Sequence, residues 1–167
     1  MLFRSPEFIR QIRAEDYVAA ARVIKQRNIL PAVCGRVCPQ EEQCESRCVL
    51  GLRDKPVGIG NLERFVADWA MKTDTVKIPV IKKRLNKRIA VVGSGPGGIT
   101  VAGDLLQLGY NVTMFEALHE PGGVLIYGIP EFRLPKSIVS YEIDYLRKLG
   151  CKIELNTVIG TAIEIDE

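Results

Sequence analysis

Residues 87–123 constrain the fold of this chain more than any other stretch of its 167 residues. They predict a buried strand at 89–92, a glycine-rich turn, a helix, and a second strand that ends at an acidic residue. The turn has the pattern G-x-G-x-x-G, which permits a tight bend, a close approach of the backbone to a pyrophosphate, and close packing of the helix on the strand. This order and spacing predict a dinucleotide-binding unit, with an ordinary strand–turn–helix corner as the alternative. The residues expected to contact the dinucleotide at this turn are Gly93, Ser94, Gly95, Pro96, Gly97 and Gly98.

The acidic residue after the second strand narrows the choice of dinucleotide. The carboxylate of Glu116 can accept a hydrogen bond from a ribose 2′-hydroxyl and would repel a 2′-phosphate, which favours NAD or FAD over NADP at this turn. The pair Gly122–Gly123 offers the backbone a second close approach to the pyrophosphate. This arrangement resembles that of two-dinucleotide flavoprotein reductases, whose first Rossmann turn holds FAD. We therefore expect FAD.

Composition excludes several classes of protein. A hydrophobic content of 47% and a charged content of 26% are typical of globular proteins, and a net charge of +3 is too small to indicate a nucleic-acid partner. The first ten residues carry charges and no apolar core, so no signal peptide is expected, and no stretch is apolar for long enough to predict a membrane span. An odd number of cysteines without an export signal predicts reduced thiols in the cytoplasm.

Four of the five cysteines lie within residues 34–48, at the spacing C-x3-C-x5-C-x3-C. Buried inert thiols seldom cluster in this way, and zinc sites favour shorter spacings than the central gap. A thiol-rich segment without histidine favours an iron–sulfur cluster, especially when a flavin domain follows. The only histidine, His119, is predicted to lie in a loop far along the chain.

The remaining segments predict helices around this cysteine run. Residues 6–28 predict a helix in two pieces that Ser5 can cap, and residues 56–72 predict a turn and an amphipathic helix capped by Asn61. Glu63 would then lie in the first turn, where the helix dipole favours a carboxylate. The apolar face of that helix is predicted to contain Leu62, Phe65, Val66, Trp69 and Ala70.

The remaining segments predict a connector before the glycine-rich turn region and a helix and strands after it. The basic residues 73–88 predict a solvated connector rather than a nucleic-acid patch, because no aromatic residues are interleaved with the charges. Residues 136–149 predict a helix stopped by Gly150, residues 152–155 a short strand, and residues 157–165 another strand with a turn at Gly160. Cys151 is expected in the core.

Four segments together resemble one group of enzymes: NILPAVCGRVCPQEEQCESRC, PVGIGNLERFVADWA, VVGSGPGG and FEALHEPGGVLIYGIPEFRLPK. The group contains the small (beta) subunit of NADPH-dependent glutamate synthase, the large subunit of NADH-dependent ferredoxin:NADP oxidoreductase (sulfide dehydrogenase), and the N-terminal region of dihydropyrimidine dehydrogenase. The resemblance implies an α/β protein, with a small all-α iron–sulfur domain at 1–75, a linker at 76–87 and part of a Rossmann-type FAD-binding domain at 88–167.

The resemblance also implies an activity. It suggests an oxidoreductase subunit, dependent on FAD and 4Fe-4S clusters, that passes electrons between NAD(P)H and a larger catalytic or electron-transfer subunit. No catalytic side chain is expected, because the cofactors carry the chemistry. By position, Cys38, Cys44 and Glu63 match ligands of one cluster and Cys48 a ligand of another, whereas Cys34 matches a position that is not needed as a ligand. Arg133 and the backbone of Val124 match flavin-contacting positions.

Two departures from the family leave alternatives open. The family takes four further cysteines from an upstream run, and its FAD domain and NAD(P)H domain extend beyond the position of Glu167, which implies a fragment or one piece of a split protein. A non-catalytic docking module that has lost full cofactor binding is therefore the main alternative. In a third hypothesis, Cys34, Cys38, Cys44 and Cys48 bind one cluster or zinc by themselves.

Overall fold

The computed structural model describes residues 5–75, 77–81 and 83–164, and the chain forms two compact units, Met1–Lys77 and Ile78–Glu167. The first unit is helical and the second contains a parallel sheet with helices. The predicted fold class, helices followed by an α/β unit, is thus confirmed. No helix in the described ranges combines the length and the apolar character needed to cross a membrane.

The first unit contains, within its described residues, four α-helices and two short turns of 3-10 helix. The predicted helix at 6–28 forms as two helices, and the Asp16 side chain caps the second by accepting a hydrogen bond from the Ala19 N–H at 2.9 Å. The helices are α1 (Ser5–Arg13), α2 (Tyr17–Lys25), α3 (Pro31–Val37) and α4 (Ile59–Thr73), and the 3-10 turns are Gln40–Glu42 and Val49–Leu52.

The core of this unit lies between α1, α2 and α4, whose apolar faces bury one another. The Tyr17 ring packs edge-on against the rings of Phe65 and Trp69, with centroids 5.3 and 5.4 Å apart. Arg36 of α3 is tied to Asp68 of α4 by two hydrogen bonds of 2.7 and 2.9 Å. The buried residues of the core are Phe8, Ala20, Ala21, Ile24, Ile59, Val66 and Ala70.

The start of α4 differs from the prediction. The helix begins at Ile59, so that Asn61 lies inside it and does not cap it. The Gly60 N–H instead donates to the Glu45 carboxylate at 2.9 Å, and a side chain from the cysteine segment thereby satisfies one of the free N–H groups of the helix end. Glu63 consequently lies beyond the first turn and is only 5% exposed, so the predicted interaction with the helix dipole is wrong. Phe65, predicted on the apolar face, is 45% exposed.

The second unit contains, within its described residues, a three-stranded parallel sheet in the order β1 (Arg88–Val92), β2 (Asn111–Phe115), β3 (Lys152–Glu154), with helical crossovers. Val92 at the end of β1 pairs with Phe115 at the end of β2, and Phe115 pairs with Glu154 of β3. The residues after β1 and β2 therefore meet at one edge of the sheet, as expected for a dinucleotide fold. The helices of this unit are α5 (Pro96–Gln107), which joins β1 to β2, and α6 (Val124–Tyr127) and α7 (Lys136–Leu149), which lie between β2 and β3.

The end of the chain is partly as predicted. Gly150 ends α7 with φ 106°, β3 follows, and Cys151 is buried, in agreement with the sequence analysis. The predicted strand at 157–165 does not form over its described part. The predicted turn at Gly160 is present, with φ 88°, and a single parallel bridge joins Ile159 and Ile163. Residue 165 lies outside the described residues. The turn interrupts the extended run that a ladder requires.

Candidate dinucleotide site and candidate metal centre

The glycine-rich turn joins β1 directly to α5. Gly93 has φ 91°, a left-handed conformation that favours glycine, and Pro96 is the first residue of the helix. A β-carbon built on Gly98 would lie 2.0 Å from the Gly93 carbonyl oxygen, so this glycine is required for the close approach of helix and turn. Built on Gly95 or Gly97, a β-carbon meets nothing within 4 Å. The turn therefore presents bare backbone to open space at the N-terminus of α5.

The second glycine pair lies against this turn. Gly123 has φ 53°, and a β-carbon on it would come within 2.9 Å of Gly95 Cα. The Gly122 N–H donates to the Ser94 hydroxyl at 2.8 Å. The two glycine segments, 28 residues apart in the chain between Ser94 and Gly122, thus form one backbone surface.

Glu116 is buried beside the turn, with 6% of its surface exposed. Its Oε2 accepts hydrogen bonds from the Ser94 N–H at 2.9 Å and from the Ser94 hydroxyl, and its Oε1 accepts from the Leu118 N–H at 2.9 Å. Burial acts to raise the pKa of the Glu116 carboxyl, but the hydrogen bonds from Ser94, Leu118 and Ala117 outweigh it, and the pKa lies below its usual value. Glu116 is therefore an ionised acceptor at neutral pH.

The segment after the second glycine pair contains the other predicted flavin contacts. Val124 begins α6 and is 55% exposed, and Arg133 is also exposed. Lys136 Nζ holds this segment in place by donating to the carbonyl oxygens of Leu125, at 2.9 Å, and Ile129. Both predicted contacts are accessible to a ligand, and their role remains a prediction.

The four clustered cysteines are separated by the local structure of their segment. Cys34 lies in α3, Cys38 immediately follows it, Cys44 lies in a turn, and Cys48 precedes the second 3-10 turn. All four are reduced thiols and partly exposed. Among the described residues, no three side chains of His, Cys, Asp or Glu come close enough together to hold a metal ion.

Electrostatic effects nevertheless group Glu63 with two of the thiols. Burial raises the pKa of Cys38 and of Cys44. The Glu63 carboxylate raises the pKa of Cys38 further, and the carboxylates of Glu45 and, to a smaller extent, Glu63 raise that of Cys44. Cys48 differs, because hydrogen bonds from the N–H groups of Val57, at 3.5 Å, and Leu50 lower its pKa. Glu63 thus acts on Cys38 and Cys44, whereas Glu45 acts on Cys44 and Cys48.

Glu63 itself is an unusual residue for the interior of a small helical unit. Burial raises the pKa of its carboxyl to about 7, and its Oε1 accepts a hydrogen bond from the Asn28 amide at 2.8 Å, which acts in the opposite direction. Asn28 is in turn fixed, because its Oδ1 accepts from the Leu30 N–H at 2.9 Å. Sequence analysis missed Asn28 because a partner 35 residues away leaves no local pattern.

A cavity of about 600 Å³ opens beside two of the thiols. Cys44 and Cys48 both contribute to its wall, and three arginines also line it. The predicted donor set of this unit, three thiols and a carboxylate without histidine, has the chemistry that suits an iron–sulfur cluster. The lining of the cavity includes the apolar residues Ile9, Val49, Leu50, Val57 and Ile59 and the basic residues Arg10, Arg13 and Arg47.

Two protein families match the chain, one for each unit. Residues 2–75 match the family described as dihydropyrimidine dehydrogenase domain II, 4Fe-4S cluster, and residues 91–151 match the family described as NAD(P)-binding Rossmann-like domain. The first match lies on the cysteine segment and Glu63, and the second on the glycine turn and Glu116.

Relatives with both parts are found among oxidoreductase subunits. The NAD-dependent dihydropyrimidine dehydrogenase subunit PreT of Escherichia coli K12 is 39% identical over 96% of this chain and 39% of its own length. The glutamate synthase [NADPH] small chain of Bacillus subtilis is 41% identical over 89% of this chain and 30% of its own length. The NADP(+)-dependent formate dehydrogenase subunit beta of Moorella thermoacetica is 36% identical over 97% of this chain and 26% of its own length. The chain spans about two-fifths or less of the length of these relatives. The matches confirm the family resemblance found in the sequence.

Proposed function

We propose that this chain, a relative of the glutamate synthase small chain and of the dihydropyrimidine dehydrogenase subunits over nearly its whole length, is the cofactor-carrying segment of an electron-transfer subunit. In this proposal the second unit binds FAD, and the first contributes ligands to 4Fe-4S clusters. The subunit passes electrons between NAD(P)H and a larger catalytic or electron-transfer subunit.

The observation that carries the proposal is the junction of the two glycine segments with Glu116. Gly95 and Gly97 leave space that a side chain would fill, and the first N–H groups of α5 lie at that space. Glu116 lies alongside as an ionised acceptor, which suits a free ribose hydroxyl and disfavours a 2′-phosphate. An acid followed by the Gly122–Gly123 pair is the arrangement of flavoprotein reductases, which favours FAD over NAD.

The residues of the dinucleotide site in the second unit then have separate roles in binding FAD. The backbone of the turn and the N-terminus of α5 bind the pyrophosphate, Glu116 accepts a hydrogen bond from the adenosine ribose, and Val124 and Arg133 contact the flavin. FAD supplies the chemistry that converts a hydride from reduced nicotinamide into single electrons for an iron–sulfur cluster.

In the first unit, Cys38, Cys44 and Glu63 are proposed as ligands of one cluster and Cys48 as a ligand of another. The Glu63 carboxylate raises the pKa of both Cys38 and Cys44, which supports placing these three together. A carboxylate in place of a thiolate alters the charge distribution at a cluster and hence its reduction potential. Asn28 orients that carboxylate through its amide.

The first experiment is an anaerobic absorbance spectrum of the purified chain, with iron, zinc and flavin assayed on the same sample. Flavin bands together with a broad iron–sulfur shoulder are the expected result. A folded protein without flavin or metal would contradict the proposal and favour a docking module. Zinc without iron would favour the hypothesis in which the four cysteines of residues 34–48 act alone.

A pair of substitutions tests the ribose contact. Glu116→Gln should weaken FAD binding about tenfold or more, because a neutral amide is a weaker acceptor than a carboxylate and also introduces a donor. Glu154→Gln removes the same charge from an exposed position on the adjacent strand and should leave the affinity unchanged. Equal FAD affinity for wild type and Glu116→Gln, measured by flavin fluorescence titration, would refute the contact.

A further inference from the structure

We infer that Ser94 is a positioning residue of the dinucleotide site, whose hydroxyl joins the Glu116 carboxylate to the Gly122 N–H and so fixes the orientation in which that carboxylate meets the ribose hydroxyl. The inference rests on the proposed function, because it assigns a role within the same site. It concerns a residue that a G-x-G-x-x-G pattern leaves unspecified.

The hydrogen bonds around Ser94 carry the argument. Ser94 is fully buried, and it contacts one carboxylate oxygen twice, since its N–H, at 2.9 Å, and its hydroxyl both donate to Glu116 Oε2. The hydroxyl has one proton, which it gives to Glu116, and it accepts the Gly122 N–H at 2.8 Å with its oxygen. One hydroxyl thus connects the turn after β1, the residue after β2, and the second glycine segment.

The Ser94 hydroxyl is the side-chain donor among the groups that bond to Glu116. The other donors are the backbone N–H groups of Ser94 and Leu118, each at 2.9 Å, and of Ala117. A substitution at position 94 can therefore remove the hydroxyl and keep the backbone donors that hold the carboxylate.

Loss of the hydroxyl would free the carboxylate to turn. An alanine at position 94 keeps the backbone N–H bond to Oε2 but removes both hydrogen bonds of the hydroxyl, so that the Gly122 N–H and Oε2 each lose a partner in a buried setting. The orientation of the carboxylate and the position of the Gly122–Gly123 pair would relax together. The effect on a ligand should then depend on whether the ligand has the 2′-hydroxyl.

The test compares two ligands that differ by that hydroxyl. ADP and 2′-deoxy-ADP, which share the adenine and pyrophosphate of FAD, are titrated calorimetrically into wild type, Ser94→Ala and Ser140→Ala. Ser140 is a matched control, because its hydroxyl bonds within α7 to the Lys136 carbonyl at 3.1 Å and is exposed. We expect Ser94→Ala to weaken ADP binding about tenfold and 2′-deoxy-ADP binding by no more than about threefold, and Ser140→Ala to change neither.

The outcomes distinguish the positioning role of Ser94 from the proposed dinucleotide site itself. Equal losses on both ligands would overturn the positioning role, while a wild-type preference for ADP over 2′-deoxy-ADP would still uphold the proposed site. A folded wild type that binds neither ligand would overturn both. If Ser94→Ala does not fold, Ser94→Cys fills the position with a somewhat larger thiol that is a poor donor, and it should show the same ligand-selective loss.

A measurement without ligand gives a second check. Loss of the Ser94 hydroxyl should raise the pKa of Glu116, because that hydrogen bond favours the ionised form. Carboxyl-carbon NMR of the glutamate-labelled protein follows this pKa in wild type and Ser94→Ala. An unchanged value would overturn the inference whatever the binding data show.

Discussion

Alanine substitutions at two glycines of the second unit, Gly98 and Gly95, should have different effects, the first on stability and the second on FAD affinity. In Gly98→Ala the new atom would lie 2.0 Å from the Gly93 carbonyl oxygen and 3.1 Å from the carbonyl carbon. An ordinary van der Waals contact begins near 3.4 Å, so backbone must move by more than about 1 Å. Because both partners are backbone and no flexible side chain can yield, we expect a loss of about 3 kcal/mol in the free energy of unfolding, at the upper end of overpacking costs.

Gly95→Ala should behave in the opposite way. Gly95 has φ −66° and ψ 178°, which alanine adopts without strain, and its β-carbon meets nothing within 4 Å. The substitution lowers the entropy of the unfolded chain, so the free energy of unfolding should stay the same or rise by up to about 1 kcal/mol. The methyl group would, however, occupy the space proposed for the pyrophosphate, and FAD affinity should fall at least tenfold.

Urea unfolding followed by far-UV circular dichroism, combined with FAD fluorescence titration, measures both quantities for both variants. The expected pattern is a lower urea midpoint for Gly98→Ala and a wild-type or higher midpoint, with weak binding, for Gly95→Ala. A wild-type midpoint for Gly98→Ala would refute the packing argument. Wild-type FAD affinity in Gly95→Ala would refute the position assigned to the pyrophosphate.

Three further predictions concern the first unit. In the metal-free chain, the pKa of Glu63 is about 7 when folded and near 4.5 when unfolded, so the folded state loses stability as the pH rises through this window. Glu63→Gln should therefore add about 3 kcal/mol to the free energy of unfolding at pH 8 and little at pH 4. Equal gains at both pH values in urea titrations would contradict this. Cys34→Ser should leave the iron content unchanged while Cys38→Ser lowers it, and equal losses in an iron assay would favour four cysteines acting together. Gly35→Ala should lower the free energy of unfolding by about 2 kcal/mol, because its β-carbon would lie 2.8 Å from backbone atoms of Arg64. Gly51→Ala is the control, since its β-carbon would have no contact closer than 3.5 Å, and it should be near neutral. Matching urea midpoints for the two variants would show the reasoning to be wrong.

Much of the second unit could be predicted because its signals are local. The strand at 88–92, the turn with Gly93 and Gly98, and the helix that follows depend on residues within a few positions of one another. Their periodicity and glycine spacing therefore appear directly in the sequence. The same reasoning failed in part at 157–165, where the predicted turn at Gly160 forms but the described residues around it form a single bridge instead of a strand. A short apolar run specifies no pairing partner, so its conformation is decided by what packs against it.

The candidate metal centre shows the limit of this approach in the first unit. Four cysteines at regular spacing indicate thiol chemistry from sequence alone, and a resemblance to a family added Glu63. Only the tertiary structure placed Glu63 in the interior next to Asn28, and made Glu45 the residue that satisfies the start of α4. Both partnerships join positions 15 to 35 residues apart, and no pattern within a helical turn encodes them.

The sequence by itself determined the types of element, the glycine turn with its acidic neighbour, and the kind of chemistry that four clustered thiols can support. The tertiary structure decided which oxygen of Glu116 is engaged by Ser94, how the Gly122–Gly123 pair meets Gly95, and that a carboxylate is buried in a helical core. The physical reason is that backbone conformation and periodicity are set by neighbours along the chain. Burial, hydrogen-bond partners and pKa values depend on groups that only folding brings into contact.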